Sequence, residues 1–193
     1  MNTGLWGCAT SLAETRQRTS GARRRPTHLL AHRCGCMDGR GTLHNVDRLR
    51  FVRLVAAEDV AALAELLAAI DPTYFHPHPF TREEAERRAL YQGKDVYAVL
   101  EDGGRLVAYG MLRGWDEGYA VPALGIGVRR HSGGRGFGRA MMIWLQEEAR
   151  RRGASRIRLR VHPDNGPARA LYESLGYRYE GEERGELLMI LEL

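Results

Sequence analysis

One glycine-rich stretch constrains the possible fold of this chain more than any other part of its sequence. It reads Gly-Gly-Arg-Gly-Phe-Gly-Arg over residues 133–139, between an apolar run at 123–128 and an amphipathic segment at 140–152. Glycines between a strand and a helix let the main chain approach a ligand closely. The first helical turn then offers unpaired N–H groups and the positive end of the helix dipole. The sequence therefore predicts a phosphate-binding loop here.

Hydrophobic periodicity predicts a series of strands and helices from residue 48 onward. The expected strands cover residues 48–55, 95–100, 105–112, 122–128, 156–161, 177–184 and 186–193. The expected helices cover residues 57–70, 81–91, 140–152 and 165–175. This order predicts an α/β fold (α+β layered) in which helices flank a single mixed sheet.

The positive charge of the chain is concentrated at one end. The sequence has a net charge of +5, and residues 1–46 hold seven arginines against Glu14 and Asp38. Residues 47–193 are therefore neutral overall, which argues against a nucleic-acid-binding surface on that part of the chain. We expect residues 1–46 to be a basic leader, either disordered or upstream of the natural start, and residues 47–193 to form the functional domain.

The cysteines and the apolar runs indicate the cellular setting. All three cysteines, Cys8, Cys34 and Cys36, lie in the leader. The domain therefore has no disulfide, and we expect a reducing, cytoplasmic location. No apolar run approaches the roughly 20 residues that span a bilayer, so no membrane association is predicted. Histidines near Cys34 and Cys36 match no common zinc spacing, and no metal site is predicted.

Two common phosphate-binding loops do not match the glycine-rich stretch. A Walker A loop requires Lys and then Ser or Thr after its last glycine, but Arg139 and Ala140 follow Gly138. A dinucleotide fingerprint, G-x-G-x-x-G/A, would end on Arg139 or Met141. The next predicted strand also lacks the acidic residue of that fingerprint. Neither class of nucleotide site is therefore favoured.

The stretch instead resembles the acetyl-CoA pyrophosphate loop of the GCN5-related N-acetyltransferase (GNAT) family, whose motif is Q/R-x-x-G-x-G/A. Gly136 and Gly138 occupy its two small positions, and Gly133 stands where Gln or Arg is usual. Two explanations of this departure remain open. Either main-chain N–H groups suffice for the pyrophosphate, or Arg135 and Arg139 supply the missing charge.

A second, distant stretch strengthens the resemblance. Residues 165–177 match the later family motif N-x-x-A-x-x-L/F-Y-x-x-x-G-F/Y. On both motifs together, residues 48–193 are identified as a member of the GNAT family. The resemblance implies a mostly antiparallel sheet of the GNAT acyl-CoA N-acyltransferase fold and an acetyl-CoA-dependent N-acetyltransferase activity.

The resemblance also implies roles for individual residues. Tyr172 corresponds to the tyrosine that donates a proton to the departing CoA thiolate, and a phenol with a pKa of about 10 is protonated at pH 7. Ile126 and Val128 would bind the pantetheine arm through main-chain groups. Asn165 is expected to contact the cofactor or to cap its helix. The remaining cofactor contacts are expected from Gly133, Gly134, Arg135, Gly136, Phe137, Gly138 and Arg139.

The general base is less clearly marked in the sequence. The attacking amine must be neutral, yet residues 121–128, where many relatives carry a Glu, contain no acid and no histidine. Glu117 is preferred as the base because its loop flanks the strand that would meet the acetyl group. The other candidates for this role are Asp116, His76, His78 and His162. The residues expected at the acceptor site are His78, Trp115 and Asp116.

These inferences predict acetyl transfer to a primary amine of a small molecule. The stiff segment 76–80, with its prolines and aromatic residues, favours a closed pocket for such an acceptor. Two alternatives remain open: acetylation of a protein N-terminus or lysine, and a non-catalytic CoA-binding sensor. The missing strand carboxylate and Gly133 favour the sensor. We expect a monomer or a homodimer that binds no nucleic acid.

Overall fold

The computed structural model describes residues 50–193, so the predicted leader 1–46 lies outside the described residues. This part of the chain forms a seven-stranded sheet with helices on both faces. The strands are β1 (Arg50–Leu54), β2 (Val96–Asp102), β3 (Arg105–Arg113), β4 (Ala123–Val128), β5 (Arg156–Val161), β6 (Arg178–Glu183) and β7 (Glu186–Glu192). The helices are α1 (Val60–Ala68), α2 (Arg82–Ala89), α3 (Phe137–Arg151) and α4 (Gly166–Ser174). None of the helices within residues 50–193 is long and apolar enough to cross a membrane.

The strand order in the sheet is β1-β2-β3-β4-β5-β7-β6. All neighbouring strands are antiparallel except β4 and β5, which are parallel. This arrangement confirms the predicted fold class of a single mixed, mostly antiparallel sheet flanked by helices. The parallel pair is joined only at Ala123 and Arg158. Beyond that point β4 and β5 diverge and leave a cleft in the middle of the sheet.

Two apolar clusters hold the helices on the sheet. On one face, α3 buries Met141, Met142 and Leu145 against β2 and β3. On the other face, α1 and α2 bury residues such as Leu66 and Ala85 against the opposite side of the same strands. Complete burial of a leucine or methionine side chain stabilises the fold by about 1.5–3 kcal/mol. These clusters fix the position of α3, whose first turn lies at the cleft.

The amino end of α3 starts earlier than the sequence predicts. The expected helix begins at residue 140, but α3 begins at Phe137 because Gly136 serves as its N-cap in the left-handed conformation, at φ 80°. The second half of the glycine-rich stretch is therefore the first turn of the helix. Similarly, the predicted helix 57–70 opens with a single 3₁₀ turn, Ala57–Asp59, before α1.

Candidate functional site

The glycine-rich stretch forms an open turn that leads directly into α3. Gly134 and Gly136 have φ angles of 73° and 80°, which L residues rarely adopt. A Cβ atom added at Gly133, Gly134 or Gly136 would meet no atom within 4 Å. The main chain is thus uncovered at these positions. The first N–H groups of α3 lack partners within the helix, so this surface suits an anion.

A cavity of about 630 Å³ lies between this turn and the divergent strands β4 and β5. We call it the glycine-loop cavity. It brings together ten of the predicted cofactor-binding and catalytic residues from three separate segments of the chain. Those that line it are Ile126, Val128, Gly133, Gly134, Gly136, Phe137, Gly138, Arg139, Asn165 and Tyr172.

Arg135 is the predicted cofactor residue that does not line this cavity. Its Nη2 lies 2.9 Å from Oδ2 of the buried Asp102, whose Oδ1 also pairs with Arg50 at 2.8 Å. The guanidinium of Arg135 lies over the ring of Phe137, 4.7 Å from its centroid. Arg135 therefore ties the turn to the end of β2. Arg139, in contrast, faces the cavity, and its Nη2 donates a hydrogen bond to Ser174 Oγ at 2.6 Å.

Two predicted residues enter the glycine-loop cavity from α4. Asn165 caps this helix, since its Oδ1 accepts a hydrogen bond from the Ala168 N–H at 3.3 Å. Tyr172 lies further along α4, and only 8% of its surface is exposed. Burial raises the pKa of Tyr172 to about 12, and no hydrogen bond from residues 50–193 reaches its hydroxyl. The phenol is therefore protonated at neutral pH and can donate its proton to a ligand.

A second cavity, of about 370 Å³, adjoins the first and contains Glu117 in its wall. We call it the Glu117 cavity. The end of β3, the loop after it, the start of β4 and the β6–β7 turn contribute to its lining. Phe75, Leu124 and Gly125 line both cavities. A ligand group in one cavity can therefore reach a group in the other at the middle of β4.

Phe75 covers the strand at this junction. A Cβ atom at Gly125 would come within 3.1 Å of the Phe75 ring, and one at Gly127 within 2.7 Å. Glycine at these two positions lets the aromatic ring rest on the main chain of β4. The segment after α1 thus forms one wall of both cavities.

The Glu117 cavity is rich in charged side chains. Arg158 pairs with Glu183, and Arg160 pairs with Glu186, each with an N–O distance of 3.5 Å. Arg113 also lines the cavity, and its Nε is shielded from solvent without a hydrogen-bond partner in the described part of the chain. Arg113 has no signature in the sequence, because an arginine at the end of a strand is an ordinary feature of a folded domain.

His78, predicted at the acceptor site, lies instead beneath the sheet. Only 5% of its side chain is exposed, and it lines neither the glycine-loop cavity nor the Glu117 cavity. Its Nδ1 lies 3.0 Å from the Pro79 carbonyl oxygen, which can only accept, so Nδ1 carries the proton. Its Nε2 then accepts from the Tyr109 hydroxyl at 3.2 Å. Burial lowers the pKa of His78, so the ring is neutral at pH 7.

Trp115 and Asp116 hold the loop that carries Glu117, and neither lines the two cavities. Asp116 accepts hydrogen bonds from the Tyr91 hydroxyl and from the Lys94 N–H, which together lower its pKa. The Trp115 ring lies under the guanidinium of Arg152, at 5.4 Å. The loop therefore has a defined position from which Glu117 reaches its cavity.

The two remaining histidine candidates differ in position. His76 lines the Glu117 cavity, and its Nδ1 lies 3.0 Å from the Pro72 carbonyl oxygen. His162 lines neither cavity; its ring packs against Tyr74 with a centroid distance of 5.2 Å. Glu117 and His76 are thus the base candidates that line the Glu117 cavity, which adjoins the glycine-loop cavity.

Comparison with known proteins places this architecture among acetyltransferases. Residues 61–177 match the sequence profile of the Acetyltransferase (GNAT) family. An acetyltransferase of Yersinia enterocolitica is 30% identical over 90 residues, which are 47% of this chain and 62% of that protein. An uncharacterized N-acetyltransferase of Yersinia pestis matches with the same values. The chain thus aligns with somewhat less than two thirds of the length of these curated relatives.

Solved structures with the same fold include proteins with bound cofactor. The PaiA N-acetyltransferase of Thermoplasma acidophilum, in complex with coenzyme A, has a TM-score of 0.63 at 14% identity, covering 75% of this chain and 99% of that one. The yncA protein of Salmonella typhimurium, solved with acetyl-CoA, has a TM-score of 0.59 at 23% identity, over 75% and 94% of the two chains. At such identities the likeness establishes the fold.

Proposed function

Because this chain belongs to the GNAT acetyltransferase family, we propose that it transfers the acetyl group of acetyl-CoA to a primary amine of a small molecule. The observation that carries the proposal is the junction of the two cavities at Gly125. One cavity has an anion-binding turn and a buried proton donor, and the other has a carboxylate. An acetyl thioester in the first and an amine in the second would meet at β4.

The chemistry of this transfer makes two demands on the protein. The amine nitrogen forms a bond to the acetyl carbon, the carbon–sulfur bond breaks, and the proton that leaves the nitrogen is balanced by one delivered to the thiolate. A lysine-like amine with a pKa of about 10.4 is neutral in only about 1 molecule in 2500 at pH 7, a penalty of about 4.6 kcal/mol. A base on the amine side and an acid on the thioester side therefore both accelerate the reaction.

The glycine-loop cavity has the groups that acetyl-CoA requires. The uncovered main chain at Gly133, Gly134 and Gly136 would bind the pyrophosphate, with Arg139 adding charge from the first turn of α3. The exposed edge of β4 at Ile126 and Val128 would bind the pantetheine arm. Acetyl-CoA supplies the activated acetyl group when bound, and Tyr172 is the residue we assign to protonate the leaving thiolate.

Glu117 is the residue we assign to accept the amine proton, directly or through water. It lines the cavity next to Gly125, and the Trp115–Asp116 contacts hold its loop in place. The volume of that cavity, about 370 Å³, is at the small end of the range for small-molecule sites. This size supports a small acceptor over a folded protein surface.

The proposal is tested by combining a binding measurement with a transfer assay on the full chain. Acetyl-CoA at about 100 times its Kd should stabilise the fold by about 2.7 kcal/mol and raise the melting temperature accordingly. Release of CoA thiol should then depend on an added primary amine, drawn from a panel of small amines and peptides. Absence of any stabilisation by millimolar acetyl-CoA would contradict the proposal.

The two alternative functions give different results in the same assay. A protein acetyltransferase would modify peptide N-termini or lysines and leave the small amines unchanged. A CoA-binding sensor would show the thermal shift with no transfer to any amine. Transfer to small amines in preference to peptides is the outcome we expect.

A further inference from the structure

Arg113 is the last residue of β3 and lies on the same face of the sheet as Tyr109 and Met111. It contributes to the wall of the Glu117 cavity. The residue is half-buried, and its Nε is shielded from solvent with no hydrogen-bond partner among residues 50–193. A guanidinium always carries its charge, and a shielded donor without a partner is unfavourable. An anionic partner would therefore stabilise Arg113 in this position.

No described side chain near Arg113 supplies that anion. Burial raises the pKa of both Tyr97 and Tyr109, so these phenols are neutral, and His78 is neutral as well. Glu84 is already paired with Arg87, at 2.8 Å, and with Arg88. The buried Asp95 accepts hydrogen bonds from the main-chain N–H groups of Gly114 and Trp115. The carboxylates near Arg113 thus have other partners, and Arg113 forms no ion pair with the described residues.

The other basic side chains of the Glu117 cavity differ from Arg113. Arg158 and Arg160 each have a carboxylate partner from the β6–β7 hairpin, and Arg184 is exposed at the hairpin turn. Glu117 forms no ion pair with the basic side chains of the described residues. The cavity therefore presents a half-buried cation and a carboxylate that the fold itself leaves uncompensated.

We propose that the acceptor carries a carboxylate as well as its amine, and that Arg113 binds this carboxylate while Glu117 faces the amine. The proposal rests on the proposed function for the chemistry at the amine. A planar guanidinium binds a carboxylate through two parallel hydrogen bonds, which fixes the orientation of the acceptor. The substrate class is then a small amino acid rather than a neutral or polycationic amine.

The test compares matched acceptors on matched variants of the full chain. Each amino acid of a series that begins with glycine, β-alanine and 4-aminobutyrate is assayed beside its own carboxamide. The wild type should prefer the best carboxylate over its amide by roughly 10- to 100-fold in kcat/KM. Arg113→Gln should remove this preference, because kcat/KM should fall much more for the carboxylate than for its amide. Arg105→Gln is the control, because Arg105 is an exposed arginine at the other end of the same strand.

A binding measurement separates this proposal from the proposed function. Titration of N-acetyl-β-alanine and of its amide into the CoA-bound protein reports the carboxylate site without turnover. Arg113-dependent binding without any transfer would contradict the transferase and support the carboxylate site. Transfer with equal rates on carboxylates and amides, or an equal loss on both in Arg113→Gln, would overturn the carboxylate site alone. Absence of both transfer and Arg113-dependent binding would overturn both.

Discussion

The two cavities that meet at Gly125 are built from different kinds of groups. The glycine-loop cavity combines uncovered main chain at the glycine-rich turn with apolar side chains of β4 and α4, and Arg139 and Tyr172 also line it. The Glu117 cavity is lined by charged side chains from separate strands and loops. A ligand that is bound through main-chain groups can stay the same when the surrounding side chains are substituted. Side-chain recognition changes with each substitution, so the acceptor can vary while the cofactor stays the same.

Of the changes that distinguish the glycine-loop cavity from the Glu117 cavity, Tyr172→Phe is expected to have the largest effect. Loss of the proton donor should lower kcat by about 100-fold, the lower end of the usual contribution of general acid–base catalysis. The affinity for acetyl-CoA should hardly change, because the ring still fills its place. Since burial raises the pKa of Tyr172 to about 12, the wild-type rate should show no loss from its ionisation up to about pH 10.

Tyr177→Phe is the matched control for this prediction. Tyr177 is also buried, and its ring lies 6.0 Å from that of Tyr172, but it does not line the glycine-loop cavity. Steady-state kinetics and acetyl-CoA titration of both variants provide the measurement. Equal losses of kcat in the two variants would show that Tyr172 acts through packing rather than as an acid.

A somewhat smaller effect is expected on the acceptor side from Glu117→Gln. This change should lower kcat/KM for the amine by about 10- to 100-fold at pH 7 and leave the KM for acetyl-CoA unchanged. The deficit should shrink toward pH 9–10, because more of the amine is then neutral without help from a base. Rate–pH profiles of the variant and the wild type measure this difference.

Glu147→Gln, on the exposed face of α3, is the control for the change of charge. It should follow the wild type at every pH. A deficit in Glu117→Gln that stays constant from pH 7 to pH 10 would argue against a role for Glu117 as a base.

The main-chain character of the cofactor side can be tested with two glycines. Gly136→Ala places a side chain at φ 80°, which costs about 1–2 kcal/mol. We expect the affinity for acetyl-CoA to weaken by about 5- to 10-fold, with no change in acceptor preference. Gly133→Ala is the matched control, since the space around its Cβ is equally open and its φ is not left-handed. Calorimetric titration of both variants is the measurement, and equal effects would refute the argument from backbone conformation.

The smallest effect concerns His78, which the sequence analysis assigned to the acceptor side. Because burial lowers its pKa in the folded state, its contribution to stability is complete above pH 6.5. That contribution is lost as the pH falls from about 6.5 through the lowered pKa, since the unfolded chain binds the proton first. His78→Gln cannot titrate and should lose less stability than the wild type between pH 7 and pH 5. Denaturant unfolding of this variant, with His162→Gln as an exposed control, would detect the difference.

The sequence allowed a detailed prediction of the cofactor side because its residues lie in two contiguous motifs. Phosphate binding by a turn requires neighbouring glycines and the start of a helix, so local sequence is sufficient to recognise it. The position of Arg135 was not accessible in this way. Its ion pair with Asp102 joins residues 33 positions apart, and only the folded sheet brings them together.

The acceptor side could be predicted only in part for the same reason. The sequence places Glu117 in the loop that precedes β4, and the structure places it in the wall of the adjoining cavity, while its role as a base stays a prediction. His78, Trp115 and Asp116 have suitable chemistry, but hydrogen bonds and packing use them inside the fold. Arg113 is singled out by its unpartnered Nε and its place in the wall of the Glu117 cavity, and no local sequence pattern reveals either.

β4 and β5 have one ladder pair, Ala123 and Arg158, and this weak pairing divides the sheet into parts of four and three strands. A ligand that contacts both β4 and β5 would add contacts across this division and stabilise the folded domain through its binding free energy. Arrival of the cofactor would then also change the mechanical stiffness of the domain. When the product leaves, the stiffness would fall again. The stiffness of the sheet would therefore rise and fall with binding and release.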